Sequence, residues 1–256
     1  VDARRAQPVP GHVLEHEPVA HAAGVEVADL ARGLLRHPEA HQPALGVVHA
    51  QAAGAGIADQ RWTRKRKKEI LQSRTRGARL VREMLERESH EGTLFISASG
   101  VNYYGLFDKG TAFVESDPPG DDFMALVTQA WEHEADAFNR LGMRVVKLRT
   151  GVVLSKESIA LRRIALPVKF LVGAPLGNGK QFFNWIHIDD VCRMYIQAIG
   201  EDSLQGVYNA VAPAPVTNRE LTAALAKVLH RPLWLPPVPG VVVKMIAGEV
   251  AQVVLT

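Results

Sequence analysis

The chain has one cysteine, Cys192, among its 256 residues. A single thiol excludes an internal disulfide framework and offers little toward a metal site. It suits a reducing compartment, so a cytoplasmic protein without a metal is expected. No run reaches the roughly twenty uninterrupted apolar residues that a spanning helix needs. The most apolar tail, "VVVKMIAGEVAQVVLT", is broken by Lys244 and Glu249 and reads as a packed helix. The first residues lack a charged-then-apolar leader pattern, and no membrane partner is expected. An excess of one charge is also lacking: 30 Lys and Arg against 27 Asp and Glu leave a formal +3, with a pI near 9.1. That balance suits an anionic ligand and falls far short of a dedicated nucleic-acid binder.

Scarcity is sharpest in residues 1–53. This stretch contains no Ile, Phe, Lys, Ser, Thr, Asn, Tyr, Trp, Met or Cys, yet holds six of the ten histidines. No run in it alternates like a strand, Pro recurs, and the one helix-like patch is "VEVADLARGLLRH" at 25–37. It is set apart as an atypical N-terminal segment that contributes no central parallel strand.

From residue 54 the text changes. With 47% apolar and 22% charged residues overall, the chain can bury one sizeable core and a small appendage. Helix-like and strand-like segments alternate as a parallel α/β sheet requires. The segment 61–88 reads as a long helix with Ile70, Leu71, Leu80, Val81, Met84 and Leu85 toward the sheet, and 93–99 as a strand. Residues 121–142 read as a helix capped by Asp121 or Asp122, and 143–154 as a strand entering a loop. Further on come a helix from 159, a loop and short strand over 177–188, a helix over 189–200 and a strand over 206–212. Another helix is opened by Thr217 in a capping box with Glu220. Strands 93–98 and 144–149 are expected to be neighbours. The boundaries are 54–170 for the core and 171–256 for a small C-terminal substrate region.

Six ordered segments, "AGAGIADQRW…RKKEILQSR", "FISASGVNYYG", "WEHEA", "LRTGVVLS", "PLGNGKQFFNWIHIDDV" and "GVYNAVAPAPVTNREL", resemble the epimerase-like branch of the extended short-chain dehydrogenase/reductase superfamily, the NAD-dependent epimerase/dehydratase or nucleoside-diphosphate-sugar epimerase-like group. The resemblance covers roughly residues 53–256. It implies an α/β fold with a Rossmann-like parallel sheet flanked by helices, and redox or epimerase chemistry with NAD(P), NADP slightly favoured. The substrate would be a nucleotide sugar or another small carbonyl or hydroxyl compound, and homodimerisation is left open.

The resemblance also carries residue roles. Ser99 matches the serine at a strand end that holds a substrate oxygen, and Tyr103 and Tyr104 match the tyrosines just after it; a turn with stacked aromatics is the plainer alternative. Thr150, Gly151 and Val152 match backbone beside the nicotinamide ring, or form a simple strand exit. Gly54 belongs to a strand-end segment beside the cofactor. Gly177 and Gly179 allow positive φ. Gln181, Asn184, Trp185 and His187 are substrate-side candidates, with His187 either an acid/base or a satisfied core histidine. Asp189 is expected to cap the following helix and Asp190 to bond local backbone, both structural.

Two departures qualify the chemistry. Family members place a tyrosine and a lysine four residues apart on one helix face, where the ammonium promotes tyrosine ionisation and holds the ribose. The corresponding helix here, "DDFMALVTQAWEHEADAF", has neither, Lys109 lies in a loop, and Glu132 and Glu134 read as solvated surface charges. A dinucleotide fold also opens with a glycine-rich turn at a helix N-terminus. No G-x-x-G-x-x-G occurs in the sequence, so the first strand and turn read as missing or replaced, as by a shifted frame, and the chain stops at Thr256 where the family would continue. The expectation is weak or no NAD(P) binding by this chain. Two alternatives stand beside it: a non-catalytic nucleotide-binding relic, and a nucleic-acid binder using the eight basic residues of 61–76. The second is disfavoured because the apolar stripe is intact and no aromatic platform interleaves it.

Overall fold

The computed structural model describes residues 48–51, 55–86, 93–106, 110 and 112–255, with backbone alone for 48–51. Expectations that fall on 1–47, on Gly54 and on Lys109 lie outside these residues.

Among the described residues, four parallel strands form the central sheet: β1 (Val48–Gln51), β2 (Leu94–Gly100), β3 (Arg144–Thr150) and β7 (Gly206–Ala210), in that spatial order. β2 and β3 are neighbours in register from Leu94↔Arg144 to Gly100↔Thr150, as expected. Helices α1 (Arg64–Leu85) and α2 (Phe123–Asp136) connect the first three strands, which is the crossover a parallel pair requires. Beyond β3 lie β4 (Val152–Leu154), α3 (Ile159–Lys169), β5 (Phe182–Phe183), β6 (Trp185–His187) and α4 (Ile188–Gly200). After β7 come β8 (Val216–Thr217), α5 (Asn218–Val228), α6 (Gly240–Ala247) and the short α7 (Gln252–Leu255). β4 pairs with β6 in parallel, and β5 with β8 in antiparallel fashion.

The sheet is covered on both faces. Leu94, Ile96, Val146 and Leu148 pack against Val191, Cys192, Tyr195 and Ala198 of α4. On the other face Phe95 and Val145 meet Ala78 of α1 and Ala135 and Phe138 at the end of α2, with the Phe95 and Phe138 rings stacked 3.7 Å apart. A third cluster joins Trp62, Ile70, Leu106, Met124 and Val127 to Val250. That contact ties the C-terminal segment to the core. Arg61 reinforces it by donating to the Met245 and Ile246 carbonyls that end α6, and Lys67 pairs with Glu249.

Helix ends follow the local chemistry. Asp122 is the cap of α2, its Oδ1 accepting from the Met124 and Ala125 amides. Thr217 and Glu220 make the expected capping box on α5. Among the described residues no helix is long and apolar enough to cross a membrane.

The structure corrects several expectations. A parallel strand does exist before residue 54, at one edge of the described sheet, and four residues are too few for an alternation test to mark it. Residues 143–154 are two strands in different sheets, divided at Gly151, where a Cβ would meet the Asn184 carbonyl oxygen at 2.8 Å. On α1 the buried positions are Ile70, Arg74 and Ala78, while Leu80 and Met84 are exposed. The C-terminal tail is broken at Gly248 (φ 62), and Val241, Met245 and Ile246 are exposed. His187, not Asp189, caps α4, its Nδ1 accepting from the Asp189 amide at 3.2 Å, and Asp190 pairs with Arg193.

Candidate active site

The register of the sheet aligns three polar residues across its carboxyl end. Ser99 stands opposite Arg149, and Arg149 opposite Asn209, so one row on three strands faces the α2 side. One step earlier the row reads Ser97 and Lys147, and earlier still Phe95 and Val145. The face thus turns from apolar to charged toward the strand ends, where open α/β sheets receive ligands.

α2 answers this gradient. Glu132 and Asp136, one turn apart, meet Arg149 and Lys147, two residues apart on β3. Glu132 Oε1 accepts from Ser99 Oγ at 2.6 Å and from Arg149 Nε at 2.8 Å, and Oε2 accepts from Arg149 Nη2 at 3.0 Å. Ser99, Glu132 and Arg149 are all buried. Glu132 is therefore an internal counter-ion, and Glu134, also buried, pairs with Arg79; neither is a solvated surface charge as the sequence suggested. Signals for this existed. Lys147 and Arg149 alternate on one face of β3 beside alternating Ser97 and Ser99, and such a face must be neutralised by whatever covers it.

Arg149 is the hub. Its Nη1 donates to the Tyr104 hydroxyl at 2.9 Å and to the Glu115 carbonyl at 3.1 Å. Burial opposes its charge, but hydrogen bonds to Glu132 and Tyr104 outweigh burial and hold the guanidinium pKa above the usual arginine value. Tyr104 in turn donates to Asn209 Oδ1 at 2.7 Å and stacks on Phe113. The Glu115 carboxylate accepts from the Asn209 backbone amide at 2.7 Å, which satisfies one donor of β7, an edge strand among the described residues. Arg149, Glu115 and Asn209 were absent from the sequence-based site.

The two tyrosines have different fates. Tyr104 is buried, with its hydroxyl both accepting and donating. Tyr103 is half-buried and its ring lies flat under Arg149, with 3.3 Å from the guanidinium carbon to the ring centroid. Tyr104 meets that ring edge-on at 85°. Among the described residues, the Tyr103 hydroxyl has no protein partner. Ser97 and Thr150 turn their hydroxyls back onto the carbonyls of Ala98 and Leu148.

The remaining candidates are more dispersed. The Gly151 amide donates to the Ala210 carbonyl and the Val152 amide to that of Asn184, so neither is free for a ligand. Gln181 is buried and ties the Leu176 and Val254 carbonyls together, joining the glycine loop to α7. Gly177 and Gly179 adopt φ of 58° and 71°. Asn184 is exposed, and Trp185 is partly buried on β6, opposite Val152. His187 is exposed and committed to its cap, so it is no core histidine. The basic helix also has prior commitments: of its eight basic residues, Arg61, Arg66, Lys67 and Arg74 make contacts within the protein. Arg74 is buried beneath the loop after β1, and burial lowers its pKa to about 10.

Comparison with known proteins places this arrangement. The chain is 40% identical over 197 residues to the chloroplastic SDR39U1 homolog of Arabidopsis thaliana, an epimerase family protein, covering 76% of this chain and 56% of that one. It is 36% identical over 207 residues to an epimerase family protein of Staphylococcus saprophyticus, covering 79% of this chain and 67% of that one. The chain therefore spans a little more than half to two thirds of the length of these relatives. The crystal structure of human epimerase family protein SDR39U1 with NADPH superposes with a TM-score of 0.73 at 31% identity, covering 87% of this chain and 75% of that one. The UDP-glucose 4-epimerase of Thermus thermophilus, solved with NAD, shares the fold at a TM-score of 0.62 and 21% identity, over 84% of this chain and 72% of that one. The family match runs over residues 9–210 and so takes in most of the segment set apart by composition. With a Rossmann-type parallel sheet, matching relatives and a match over most of its length, the chain belongs to the NAD-dependent epimerase/dehydratase family.

Proposed function

We propose that the described core carries the nicotinamide and substrate side of an NAD(P)-dependent epimerase or oxidoreductase, acting on a hydroxyl or carbonyl of a nucleotide sugar or similar small compound. The observation that carries this is Tyr103: beside the Ser99–Arg149–Asn209 row it offers a hydroxyl without a partner among the described residues, where an α/β sheet receives its ligand. Ser99 acts from within, orienting Glu132, and Tyr104 orients Arg149. Thr150, Gly151 and Val152 would line the ring of the cofactor through carbonyls and side chains, since two of their amides are used internally. Asn184 and Trp185 would flank the substrate, with Gln181 and His187 holding the segment that carries them.

The cofactor fits the described residues at one end. Its nicotinamide would supply hydride transfer beside Tyr103. The pyrophosphate end normally rests on a glycine-rich turn, and no such motif occurs in the sequence. Losing two charge-assisted amide contacts weakens binding by about a hundredfold or more. NADPH is favoured over NADH because the related human protein is solved with NADPH.

Calorimetric titration with NADPH and NADH tests this, run beside a chimera with a glycine-rich turn placed before residue 48. The chain itself is expected to bind weakly, and the chimera at least about a hundredfold more tightly, with NADPH ahead of NADH. Micromolar binding by the chain itself would overturn the weakness. A chimera that binds neither nucleotide would sink the dinucleotide assignment, and with it the nucleotide-binding relic.

A further inference from the structure

We propose that Arg149, locked by Glu132, is a positioning residue for Tyr103. The proposal rests on the assignment of Tyr103 to the substrate side and explains how its hydroxyl is held. Four donor contacts fix the guanidinium: two to the Glu132 carboxylate, one to the Tyr104 hydroxyl and one to the Glu115 carbonyl. A bidentate fork to a carboxylate sets the plane of the guanidinium as well as its position. That plane is then the platform on which the Tyr103 ring lies, 3.3 Å from centroid to guanidinium carbon, with Tyr104 closing one edge. The Tyr103 carbonyl accepts from the Gly120 amide at 2.8 Å, so its backbone is held as well. The device is a chain of fixed planes: carboxylate, guanidinium, phenol ring. Burying an ion pair gains little stability over apolar packing, so a pair built this way serves orientation. Lysine in place of Arg149 would keep the charge and lose both the fork and the flat stacking surface.

The test uses the full chain labelled with 3-fluorotyrosine. The sequence has four tyrosines, so each fluorine resonance is assignable by a Tyr→Phe change, and Tyr195, buried against the opposite face of the sheet, serves as an internal control. In Arg149→Lys the Tyr103 resonance is expected to shift and broaden while that of Tyr195 stays in place, and nitration of Tyr103 by tetranitromethane rises about fivefold. Glu132→Gln, which keeps shape and removes the charge, is expected to give a smaller change in the same direction and decides the matter should Arg149→Lys fail to fold. A folded Arg149→Lys protein, or failing that a folded Glu132→Gln protein, with the Tyr103 resonance and nitration rate of the parent would overturn the proposal. Adding millimolar NADPH to the glycine-turn chimera separates the two ideas. If Arg149→Lys moves Tyr103 but NADPH that binds does not, positioning stands and the substrate-side assignment of Tyr103 falls.

Discussion

The two faces of the central sheet are built on different rules. Toward α4 the strands present Leu94, Ile96, Val146 and Leu148, and the helix answers with Val191, Cys192, Tyr195 and Ala198, so this face is apolar through its middle, with Arg144 at one end of β3 and Thr150 at the other. Toward α2 the face starts with Phe95 and Val145, passes through Ser97 and Lys147, and ends in Ser99, Arg149 and Asn209. The first face gains from removing apolar area from water. The second places an ion pair where burial costs free energy unless every partner is present. Stability is thus concentrated on one face, and orientation of site groups on the carboxyl end of the other.

Changes on each face should separate these roles. The largest effect is expected for Arg149→Ala, which leaves Glu132 charged and buried without its partner and should cost about 3–5 kcal/mol in denaturant unfolding. A cost below about 1 kcal/mol, in the range of an exposed pair, would mean that the site is wetter than its burial suggests. On the apolar face, Ile96→Ala at a fully buried position should cost about 2–5 kcal/mol by lost transfer energy and the cavity left behind. The Tyr103 fluorine resonance should stay in place, and a shift there would break the separation of the faces.

Smaller changes sharpen the comparison. Asp122 caps α2 through Oδ1 and holds the Leu106 amide through Oδ2, so Asp122→Ala should cost about 1–2 kcal/mol and loosen the segment after Tyr103. Tyr195 tests the apolar face by pH. Burial, with a smaller contribution from Cys192, raises its pKa above the ordinary 10.0. The unfolded chain therefore releases that proton first, so stability is fully present below about pH 10 and falls as pH rises toward the folded value. Tyr195→Phe should flatten the loss above about pH 10 in pH-dependent unfolding, with little effect at pH 7; an unchanged alkaline slope would show that Tyr195 does not titrate on unfolding.

The apolar face was the more legible one in the sequence. Strands 93–98 and 144–149 could be located from their apolar runs and paired through the family resemblance, and the Thr217 capping box read from four residues of text. The ionic end was read incompletely for physical reasons. Ser99, Tyr103 and Tyr104 stood out because they share one short stretch, but Glu132 looked like any helix carboxylate, and its partner lies 17 residues away on a strand. Asn209 joins through sheet register, which links residues 105 positions apart to Tyr104 and leaves no local trace. β1 was missed because four residues give no period to detect. His187 drew attention as chemistry, while its role is a cap set by the backbone geometry where β6 meets α4.

The most direct test of the contrast is a double-mutant cycle on Glu132→Ala and Arg149→Ala, read by chemical denaturation. If the carboxyl end holds one coupled buried unit, the double variant should lose less than the sum of the singles by about 2–3 kcal/mol. Losses that add to within about 0.5 kcal/mol would contradict it, because residues acting as one buried pair cannot behave as independent sites.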